Sequence, residues 1–304
     1  MKTMAIEPKI INDAPIPTWY GVGGRADRMI VAESDEQVAW AIGTGEPVRV
    51  LGEGANLLVD DVGVDGFVVS LRSPGFDRIE IDPRSHMVKA GAGADLRRLI
   101  TVTSNAGLAG LEILGGIPAS VGGAVCMNAG GKFGQISQLI AGVRVIDQHG
   151  CVRRLGVGEI EFGYRCSGLE GLVIVEAEFA LVPEEASKVR ARFRDYMGYK
   201  KETQPLAENS AGCVFKNPTL LESIEGVGPA GSRVSAGRLI DLTGCKGLSV
   251  GGAEVSRVHG NFLTARKGAC ARDLIELMDE VARRVFDRFG VRLEREVVVW
   301  SRQA

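Results

Sequence analysis

Two glycine-rich stretches carry the residue types that could hold a phosphorylated ligand. The first, Gly52-Glu-Gly-Ala-Asn56, follows an apolar run at Val48–Leu51 and precedes the apolar residues 57–59. A strand that ends in such a turn presents successive backbone N–H groups as a nest, which suits a diphosphate. The second stretch is Gly115-Gly-Ile-Pro-Ala-Ser-Val-Gly-Gly123, and it continues to Asn128. Either alone could be an ordinary turn, but two such loops that converge would grip an elongated dinucleotide.

Two other glycine patterns match the dinucleotide fingerprint in spacing but not in context. Gly21-x-Gly23-x-x-Ala26 follows prolines and aromatic residues, not an apolar strand. Gly226-x-Gly228-x-x-Gly231 contains Pro229 and has no strand-like run before it. The fingerprint requires a strand, a tight turn and a helix in succession. With 41 glycines in the chain, chance matches are expected, and a Rossmann domain is not favoured.

Composition excludes several other kinds of site. The net charge is −2 and no long basic block occurs, so binding to nucleic acid or to a membrane through bulk charge is not expected. The six cysteines form no CxxC pair and the three histidines form no HExxH motif, so no metal site is expected. Scattered thiols are typical of a reduced cytoplasmic protein, and residues 1–14 lack the apolar core of a signal peptide.

One uncharged segment, residues 113–131, approaches the length of a membrane span. Its glycines, Pro118, Ser120 and Asn128 lower its hydrophobicity and its helix propensity. We therefore expect it to form a buried assembly of loops and turns, and we expect no membrane insertion.

The elements expected around these loops mix helices and strands. Ser34 and Gln37 have the spacing of a capping box that opens a helix, and residues 271–289 carry an apolar stripe followed by Gly290 as a C-cap. The expected helices are 34–42, 95–106, 184–201, 235–243 and 271–289. The expected strands are 48–51, 67–71, 87–90, 143–147, 172–181 and 291–300.

Short motifs along nearly the whole chain resemble, in order, those of the UDP-N-acetylenolpyruvoylglucosamine reductase family. The motifs in the first half are Trp19-Tyr-Gly-Val-Gly-Gly24, Gly52-Glu-Gly-Ala-Asn-Leu-Leu58, Gly110-Leu-Glu-Ile-Leu-Gly-Gly-Ile-Pro118, Val121-Gly-Gly123 and Phe162-Gly-Tyr-Arg165. Those in the second half are Thr203-Gln-Pro-Leu206, Gly212-Cys-Val-Phe-Lys-Asn-Pro218, Ser235-Ala-Gly-Arg-Leu-Ile240, Gly251-Gly-Ala253, His259-Gly-Asn-Phe262 and Leu293-Glu-Arg-Glu-Val297.

The resemblance implies an α+β fold in three parts. Residues 1–72 and 73–184 would be the two FAD-binding subdomains of the vanillyl-alcohol-oxidase-like (PCMH-type) fold. Residues 185–304 would be a C-terminal α+β domain that binds the UDP-sugar substrate. Residues 181–201 leave no room for the long tyrosine-bearing loop of one structural type of the family, so the chain resembles the shorter second type.

The resemblance also implies a reaction and a cofactor. In this family NADPH reduces FAD, the flavin gives a hydride to C3 of UDP-N-acetylglucosamine enolpyruvate, and the enolate at C2 is protonated. The product is UDP-N-acetylmuramate, a precursor of peptidoglycan. No histidine stands near the first glycine loop to attach the flavin, so FAD is expected to be noncovalent. The residues expected to contact FAD are Gly52, Gly54, Ala55, Asn56, Leu57, Gly116, Ile117, Pro118, Ser120, Val121, Gly122, Gly123 and Asn128.

Three residues, Arg165, Glu296 and Cys213, stand at catalytic positions of the family, and the first two agree with its pattern. Arg165 corresponds to the arginine that stabilises the enolate, a role that suits a planar, permanently charged guanidinium. Glu296 corresponds to the family's glutamate near the C-terminus; in a strand it would share a face with Val298 and Trp300, and apolar neighbours can make a carboxyl hold its proton. Glu294 is expected to be solvated instead.

Cys213 departs from the family pattern, which commonly has serine as the proton donor to C2. A thiol is a stronger acid than a hydroxyl and is still mostly protonated near neutral pH. We therefore expect Cys213 to donate the proton. Lys216, three residues on, could lower its pKa and leave too much thiolate.

Three further residues are expected to contact the substrate, namely Asn217, Lys201 and Lys216. Asn217 fits its motif well, whereas Lys201 depends on spacing alone and Lys200 competes with it.

Two other functions stay open at this point. Another flavin oxidoreductase on the same scaffold, such as an alcohol oxidase, would share the N-terminal loops but would not need the Gly212–Pro218 and Glu296 motifs. A catalytically weak nucleotide-binding or regulatory protein would bind flavin without NADPH-linked turnover, and the change from serine to cysteine is its only support.

Overall fold

The computed structural model describes residues 7–205 and 208–302 and separates them into two compact units. Within the described residues, the first unit contains 7–14, 26–53 and 65–200, and the second contains 15–25, 54–64 and 201–302. Each unit is therefore assembled from three separate pieces of chain. The expected boundaries at residues 72 and 184 stay predictions. Leu206, the last residue of the Thr203 motif, lies outside the described residues, as does part of the 1–14 segment.

The helices and strands are numbered in chain order. The strands are β1 Ile10–Pro15, β2 Arg25–Val31, β3 Val48–Leu51, β4 Leu57–Val59, β5 Val64–Ser70, β6 Ile79–Ile81, β7 Met87–Gly91, β8 Leu108–Ala109, β9 Gly130–Gly131, β10 Gly134–Gln135, β11 Ile140–Ile146, β12 Val152–Gly156, β13 Val173–Ala180, β14 Val182–Pro183, β15 Ser249–Val250, β16 Ala253–Val255, β17 Leu263–Ala265 and β18 Val298–Trp300. The α-helices are α1 Asp35–Gly43, α2 Leu96–Asn105, α3 Val121–Cys126, α4 Ala186–Thr203, α5 Ala236–Leu242 and α6 Ala271–Phe289.

The first unit contains a four-stranded sheet in the order β1-β2-β5-β3. Strands β3 and β5 are parallel, and both were predicted. Helix α1 is also confirmed, but the capping box is wrong, because the Ser34 side chain makes no capping hydrogen bond. Gln37 Oε1 instead accepts a hydrogen bond from the Glu33 N–H at 2.8 Å.

A five-stranded antiparallel sheet, β12-β11-β13-β7-β6, forms the rest of the first unit's framework. The predicted strands at 87–90, 143–147 and 172–181 all belong to it. Helix α2 begins as expected, since the Asp95 carboxylate accepts a hydrogen bond from the Arg98 N–H at 2.6 Å. Apolar residues of both sheets and of helices α2 and α3 form one continuous buried core.

The uncharged segment 113–131 is largely buried in the first unit, but it is not made of loops and turns alone. It contains α3, a six-residue helix capped by Ser120 that the low helix propensity of glycine did not predict. Its apolar residues Val121, Ala124 and Val125 are buried, so tertiary packing overrides local propensity here. Among the described residues, no helix is long and apolar enough to cross a membrane.

The second unit packs α5 and α6 with the antiparallel sheet β15-β16-β17. Helix α6 has the predicted bounds; Leu274, Met278, Val281 and Val285 are buried, and Gly290 ends it at φ +67°. Strand β18 is shorter than predicted and pairs in parallel with β4. Residues 291–297 form only an isolated bridge, from Arg295 to Phe215, so the expected strand is wrong over those residues.

Candidate active-site residues

The two predicted glycine loops approach each other in the first unit. A methyl group placed on Gly52 would lie 2.6 Å from the Ser120 Oγ, which is closer than a real side chain allows. The same hydroxyl caps α3 by accepting a hydrogen bond from the Gly123 N–H at 3.2 Å. The predicted convergence is therefore present, and a side chain at position 52 would have to displace the Ser120 hydroxyl.

The second loop uses several of its backbone N–H groups inside the protein. Val121 N donates to the Ala94 carbonyl and Gly122 N donates to the Ala92 carbonyl, both at 2.9 Å. Together with the Gly123 N–H on Ser120, these bonds hold the start of α3 beside the end of β7. These three amides position the loop, and they are not donors that point at a ligand.

The turn before Ser120 packs against helix α4. A methyl group on Gly116 would lie 2.8 Å from Lys200 Cδ and 3.3 Å from Met197 Sδ. Ile117 N donates to the Leu114 carbonyl at 3.1 Å, and Pro118 has no N–H to offer. Lys200 thus stands beside this loop in the first unit, whereas Lys201 is exposed and belongs to the second.

The remainder of the first loop belongs to the second unit. Gly54 has φ +65°, and a methyl group on it would lie 2.2 Å from the Pro17 carbonyl oxygen. Ala55 is half-buried, and Leu57 is buried at the start of β4. The Asn56 side-chain amide donates to the backbone carbonyl of Glu296 at 3.1 Å, and the Asn56 carbonyl accepts from the Val298 N–H at 3.0 Å.

Arg165 lies in a tight turn of the first unit that is anchored by Asn128. The Gly163 and Cys166 backbones form the turn, with Gly163 N donating to Cys166 O at 2.9 Å. The buried Asn128 side chain donates to the Gly163 carbonyl at 2.7 Å and accepts from the Ser137 N–H at 3.2 Å.

Both Arg165 and Asn128 have left-handed backbones, with φ of +57° and +41°. Such an angle is uncommon for arginine, whereas asparagine adopts it more readily, and backbone strain clusters at functional sites. The left-handed backbone of Arg165 supports a functional role for the turn. Nothing in the residue pattern had indicated it.

The segments that carry Cys213 and Glu296 lie side by side in the second unit. Glu296 N donates to the Val214 carbonyl at 2.7 Å, and Lys216 N donates to the Glu294 carbonyl at 2.9 Å. Cys213 and Glu296 are both half-buried. Two candidates that are far apart in sequence thus come from neighbouring chain segments.

Glu294 and Lys216 form an ion pair at the edge of this pairing. The Lys216 Nζ is 2.5 Å from a Glu294 carboxylate oxygen, and the Glu294 side chain is 72% exposed. The expected solvation of Glu294 is confirmed. The positive charge of Lys216 is therefore paired with Glu294 as well as being near Cys213 in sequence.

Asn217 holds the beginning of helix α5. Its Oδ1 accepts a hydrogen bond from the Ala236 N–H at 3.0 Å, beside the capping residue Ser235. This contact joins two of the sequence motifs. The structure thus brings Cys213, Lys216, Asn217 and Glu296 together in one unit, while Arg165 and the second glycine loop are in the other.

Asn261 is a residue whose part in the site the sequence did not indicate. It is 2% exposed, and its side-chain amide binds both sides of Phe215, donating to the carbonyl at 2.8 Å and accepting from the N–H at 2.9 Å. Its own carbonyl accepts from the Val214 N–H at 2.9 Å. Only the family motif at 259–262 marked this position, because an asparagine in a loop carries no signal of its partner.

His259 supports Asn261. Its Nδ1 accepts a hydrogen bond from the Asn261 N–H at 3.1 Å. Burial lowers the pKa of His259 below its ordinary value, and nearby Lys246 lowers it further, while Asp241 opposes the shift. The neutral imidazole that this hydrogen bond needs is therefore favoured.

The residues of the first unit fit a flavin dinucleotide. Gly52 has no side chain and lies against the Ser120 hydroxyl, so the two loops can contact one ligand at this point. The run 115–123 contains no charged side chain, so an anionic diphosphate would meet no carboxylate along it. Gly52, Ser120 and their neighbours are the residues that would hold such a group.

Comparison with known families gives two matches that cover most of the chain. Residues 27–156 match the FAD binding domain, and residues 204–300 match the C-terminal domain of UDP-N-acetylenolpyruvoylglucosamine reductase. The first match contains both glycine loops, and the second contains Cys213, Asn261 and Glu296.

Full-length relatives and a solved structure agree with these matches. UDP-N-acetylenolpyruvoylglucosamine reductase 1 of Bacillus anthracis is 36% identical over 97% of this chain and 95% of its own length. The reductase of Moorella thermoacetica is 38% identical over 96% of this chain and 94% of its own length. The crystal structure of the reductase from Thermus caldophilus superimposes with a TM-score of 0.78 at 36% identity, covering 97% of this chain and 99% of that one. The chain belongs to the UDP-N-acetylenolpyruvoylglucosamine reductase family.

Proposed function

We propose that this protein reduces UDP-N-acetylglucosamine enolpyruvate to UDP-N-acetylmuramate with NADPH and noncovalent FAD, a step of peptidoglycan precursor synthesis. The names of its full-length relatives support the reaction. The observation that carries the proposal is the pairing of the Cys213 and Glu296 segments, with Glu296 N bound to the Val214 carbonyl at 2.7 Å. A reduction that ends in protonation of carbon needs such proton-handling groups, whereas flavin binding alone does not. Because NADPH and UDP-linked sugars are cytoplasmic metabolites, we also place the reaction in the cytoplasm.

The two glycine loops, at Gly52 and Ser120, would hold FAD, which would supply the hydride-transfer chemistry between NADPH and C3 of the enolpyruvyl group. Arg165 would bind the carboxylate of that group and stabilise the negative charge that develops at C2. Its guanidinium offers planar paired donors and keeps its charge. The turn held by Asn128 limits the positions that Arg165 can adopt, so less reorganisation is needed during the reaction.

Cys213 would complete the reaction by protonating C2. The S–H bond breaks as the new C–H bond forms, and the thiolate that remains recovers a proton from solvent. Glu296 would supply a carboxyl group next to the reacting carbon. The pairing of their two segments supports this division of roles, since both side chains are carried by one hydrogen-bonded framework.

Asn217, Lys216 and Lys201 would bind the diphosphate of the substrate. Lys216 would have to exchange Glu294 for phosphate oxygens. Because the Glu294 side chain is largely exposed to solvent, breaking this ion pair would cost little free energy. Lysine binds phosphate as a point charge and tolerates such an exchange.

The test is turnover of the purified protein, with flavin measured at about 450 nm, the wavelength at which oxidised flavins absorb. We expect NADPH to reduce the flavin, and the substrate to reoxidise it. Flavin that NADPH reduces and the substrate leaves reduced would indicate another oxidoreductase. Flavin that NADPH does not reduce would indicate a binding protein, and absence of flavin would overturn the proposal.

The proton donor is tested by Cys213→Ala and Cys213→Ser. We expect the alanine variant to lose about 10²- to 10⁴-fold in the rate of substrate reduction, the usual contribution of a general acid. The serine variant restores the residue that is common in the family and should keep most of the rate. Flavin reduction by NADPH should be equal in all three proteins. An alanine variant with the wild-type rate of substrate reduction would remove Cys213 from the mechanism.

A further inference from the structure

Four motifs that are distant in sequence form one hydrogen-bonded ladder in the second unit. Asn261 binds the backbone of Val214 and Phe215, with distances of 2.8–2.9 Å. Val214 in turn binds Glu296 N at 2.7 Å, and the Glu296 carbonyl accepts from the Asn56 side chain at 3.1 Å. The two outer members of the ladder are asparagines.

We propose that Asn56 and Asn261 are positioning residues for the proton-transfer step, and that Asn56 acts on Glu296 and not on the flavin. This inference rests on the proposed function. Each asparagine fixes the backbone of a segment that carries a candidate: Asn261 fixes the segment after Cys213, and Asn56 fixes that of Glu296. Neither needs to touch a reacting atom.

The Asn56 side chain and backbone both bind the segment that carries Glu296. One side-chain N–H donates to the Glu296 carbonyl, and the Asn56 backbone carbonyl accepts from the Val298 N–H. These two bonds bracket Val297 and align β18 with β4 in the parallel pairing that follows. Without them, the Glu296 segment would be held on the β4 side only through the pairing of the following residues, 298–300.

Asn261 fixes the segment that follows Cys213 in the same way, but its hydrogen bonds are more deeply buried than those of Asn56. Its two side-chain bonds to Phe215 are buried, and Phe215 itself is 1% exposed. Removing the amide would leave a buried N–H and a buried carbonyl without partners, which threatens folding. Asn261→Asp keeps the acceptor for the Phe215 N–H and loses the donor to the Phe215 carbonyl, but it also buries a carboxylate, so its free energy of unfolding is measured together with its rate.

Asn56→Ala separates the two roles of Asn56, because flavin binding and substrate reduction can be measured apart. A displaced catalytic group slows only the step in which it acts, and a misplacement of about 1 Å can cost about 10²-fold. We expect flavin content, FAD dissociation constant and flavin reduction by NADPH to equal the wild type. We expect the single-turnover rate of substrate reduction to fall about 10-fold or more.

Two further measurements complete the test. Backbone amide exchange in residues 294–300 should be faster in Asn56→Ala, because the ladder is open at one end. Asn56→Asp, which places an acceptor against the Glu296 carbonyl, should slow substrate reduction at least as much. The control is Asn105→Ala, an exposed asparagine at the end of α2, which should match the wild type throughout.

The outcomes separate this inference from the proposed function. Weaker FAD binding in Asn56→Ala, with an unchanged rate of substrate reduction, would overturn the inference and make Asn56 a flavin ligand. An unchanged rate in both Asn56→Ala and Asn261→Asp would also overturn it. Failure of the wild-type protein to reduce the substrate would overturn the proposed function, whatever the exchange data show.

Discussion

The two units hold their candidate catalytic residues by the same kind of contact but over very different distances along the chain. In the first unit the Asn128 side chain binds the Gly163 carbonyl, 35 residues away, and fixes the turn of Arg165. In the second unit the Asn56 side chain binds the Glu296 carbonyl, 240 residues away. Arg165 is constrained by a strained local turn, whereas Cys213 and Glu296 are constrained by pairing between remote segments.

The difference suggests what each unit contributes. A tight turn with left-handed residues holds one charge in one place, which suits stabilisation of a developing anion. A ladder of extended segments sets the spacing between two groups, which suits proton transfer. Substitutions in the first unit should therefore affect charge stabilisation or flavin binding, and substitutions in the second should affect protonation.

Besides the Cys213 variants, the largest effect is expected for Arg165→Lys, which keeps the charge and removes the planar fork. The rate of substrate reduction should fall by about 10²- to 10³-fold, the usual cost of losing one stabiliser of an anionic transition state. Stopped-flow measurement of flavin reoxidation by the substrate checks this, with flavin reduction by NADPH as the internal control. A wild-type rate of flavin reoxidation in Arg165→Lys would contradict the assignment of charge stabilisation to the first unit.

Gly52→Ala tests the convergence of the glycine loops. The added methyl group would lie 2.6 Å from the Ser120 Oγ, so the loops should move apart and FAD affinity should fall about 10-fold, equivalent to about 1.4 kcal/mol. Fluorescence titration of the apoprotein with FAD measures it. Adding Ser120→Ala removes the clashing oxygen and should recover part of the loss.

Gly158→Ala is the matched control for Gly52→Ala, because a methyl group there meets no atom within 4 Å. It should leave FAD affinity unchanged. If the double variant Gly52→Ala with Ser120→Ala binds FAD no better than Gly52→Ala alone, contact between the loops is not the cause.

A smaller effect, on stability and not on rate, is expected from His259. Its lowered pKa means that the folded protein favours the neutral ring. The unfolded chain then binds more protons below its ordinary pKa of about 6.5, so the free energy of unfolding should decrease as the pH falls through and below that value. Urea unfolding at several pH values should show a weaker pH dependence in His259→Gln than in the wild type. His149→Gln, at an exposed position, should retain the wild-type dependence.

The smallest effect is expected for Glu294→Gln. Its carboxylate is largely solvated in its pair with Lys216, and such pairs contribute about 0–1 kcal/mol. The turnover number should change less than about twofold, whereas Glu296→Gln should slow substrate reduction strongly. Equal losses in the two variants would show that the carboxylates are not distinguished by their environment, and would weaken the assignment of protonation to the ladder in the second unit.

Local patterns predicted the elements whose signals lie within a few residues of one another. Helix α6 was predicted with its bounds, because its apolar stripe and Gly290 are both local signals. Helix α2 was predicted close to its observed bounds, and the structure shows that Asp95 caps it. Helix α3 was missed, since its glycines oppose a helix locally and only packing in the core stabilises it.

The sequence by itself determined the order of the motifs, the two glycine loops and the family to which they belong. Only the tertiary structure decided that the N–H groups of residues 121–123 donate to acceptors within the protein. It also decided that residues 291–297 form no regular strand and that the Asn56 side chain binds the Glu296 carbonyl. The physical reason is the range of the interactions. Propensity, periodicity and capping act over a few residues, whereas a hydrogen bond between residues 56 and 296 exists only once the chain between them has folded.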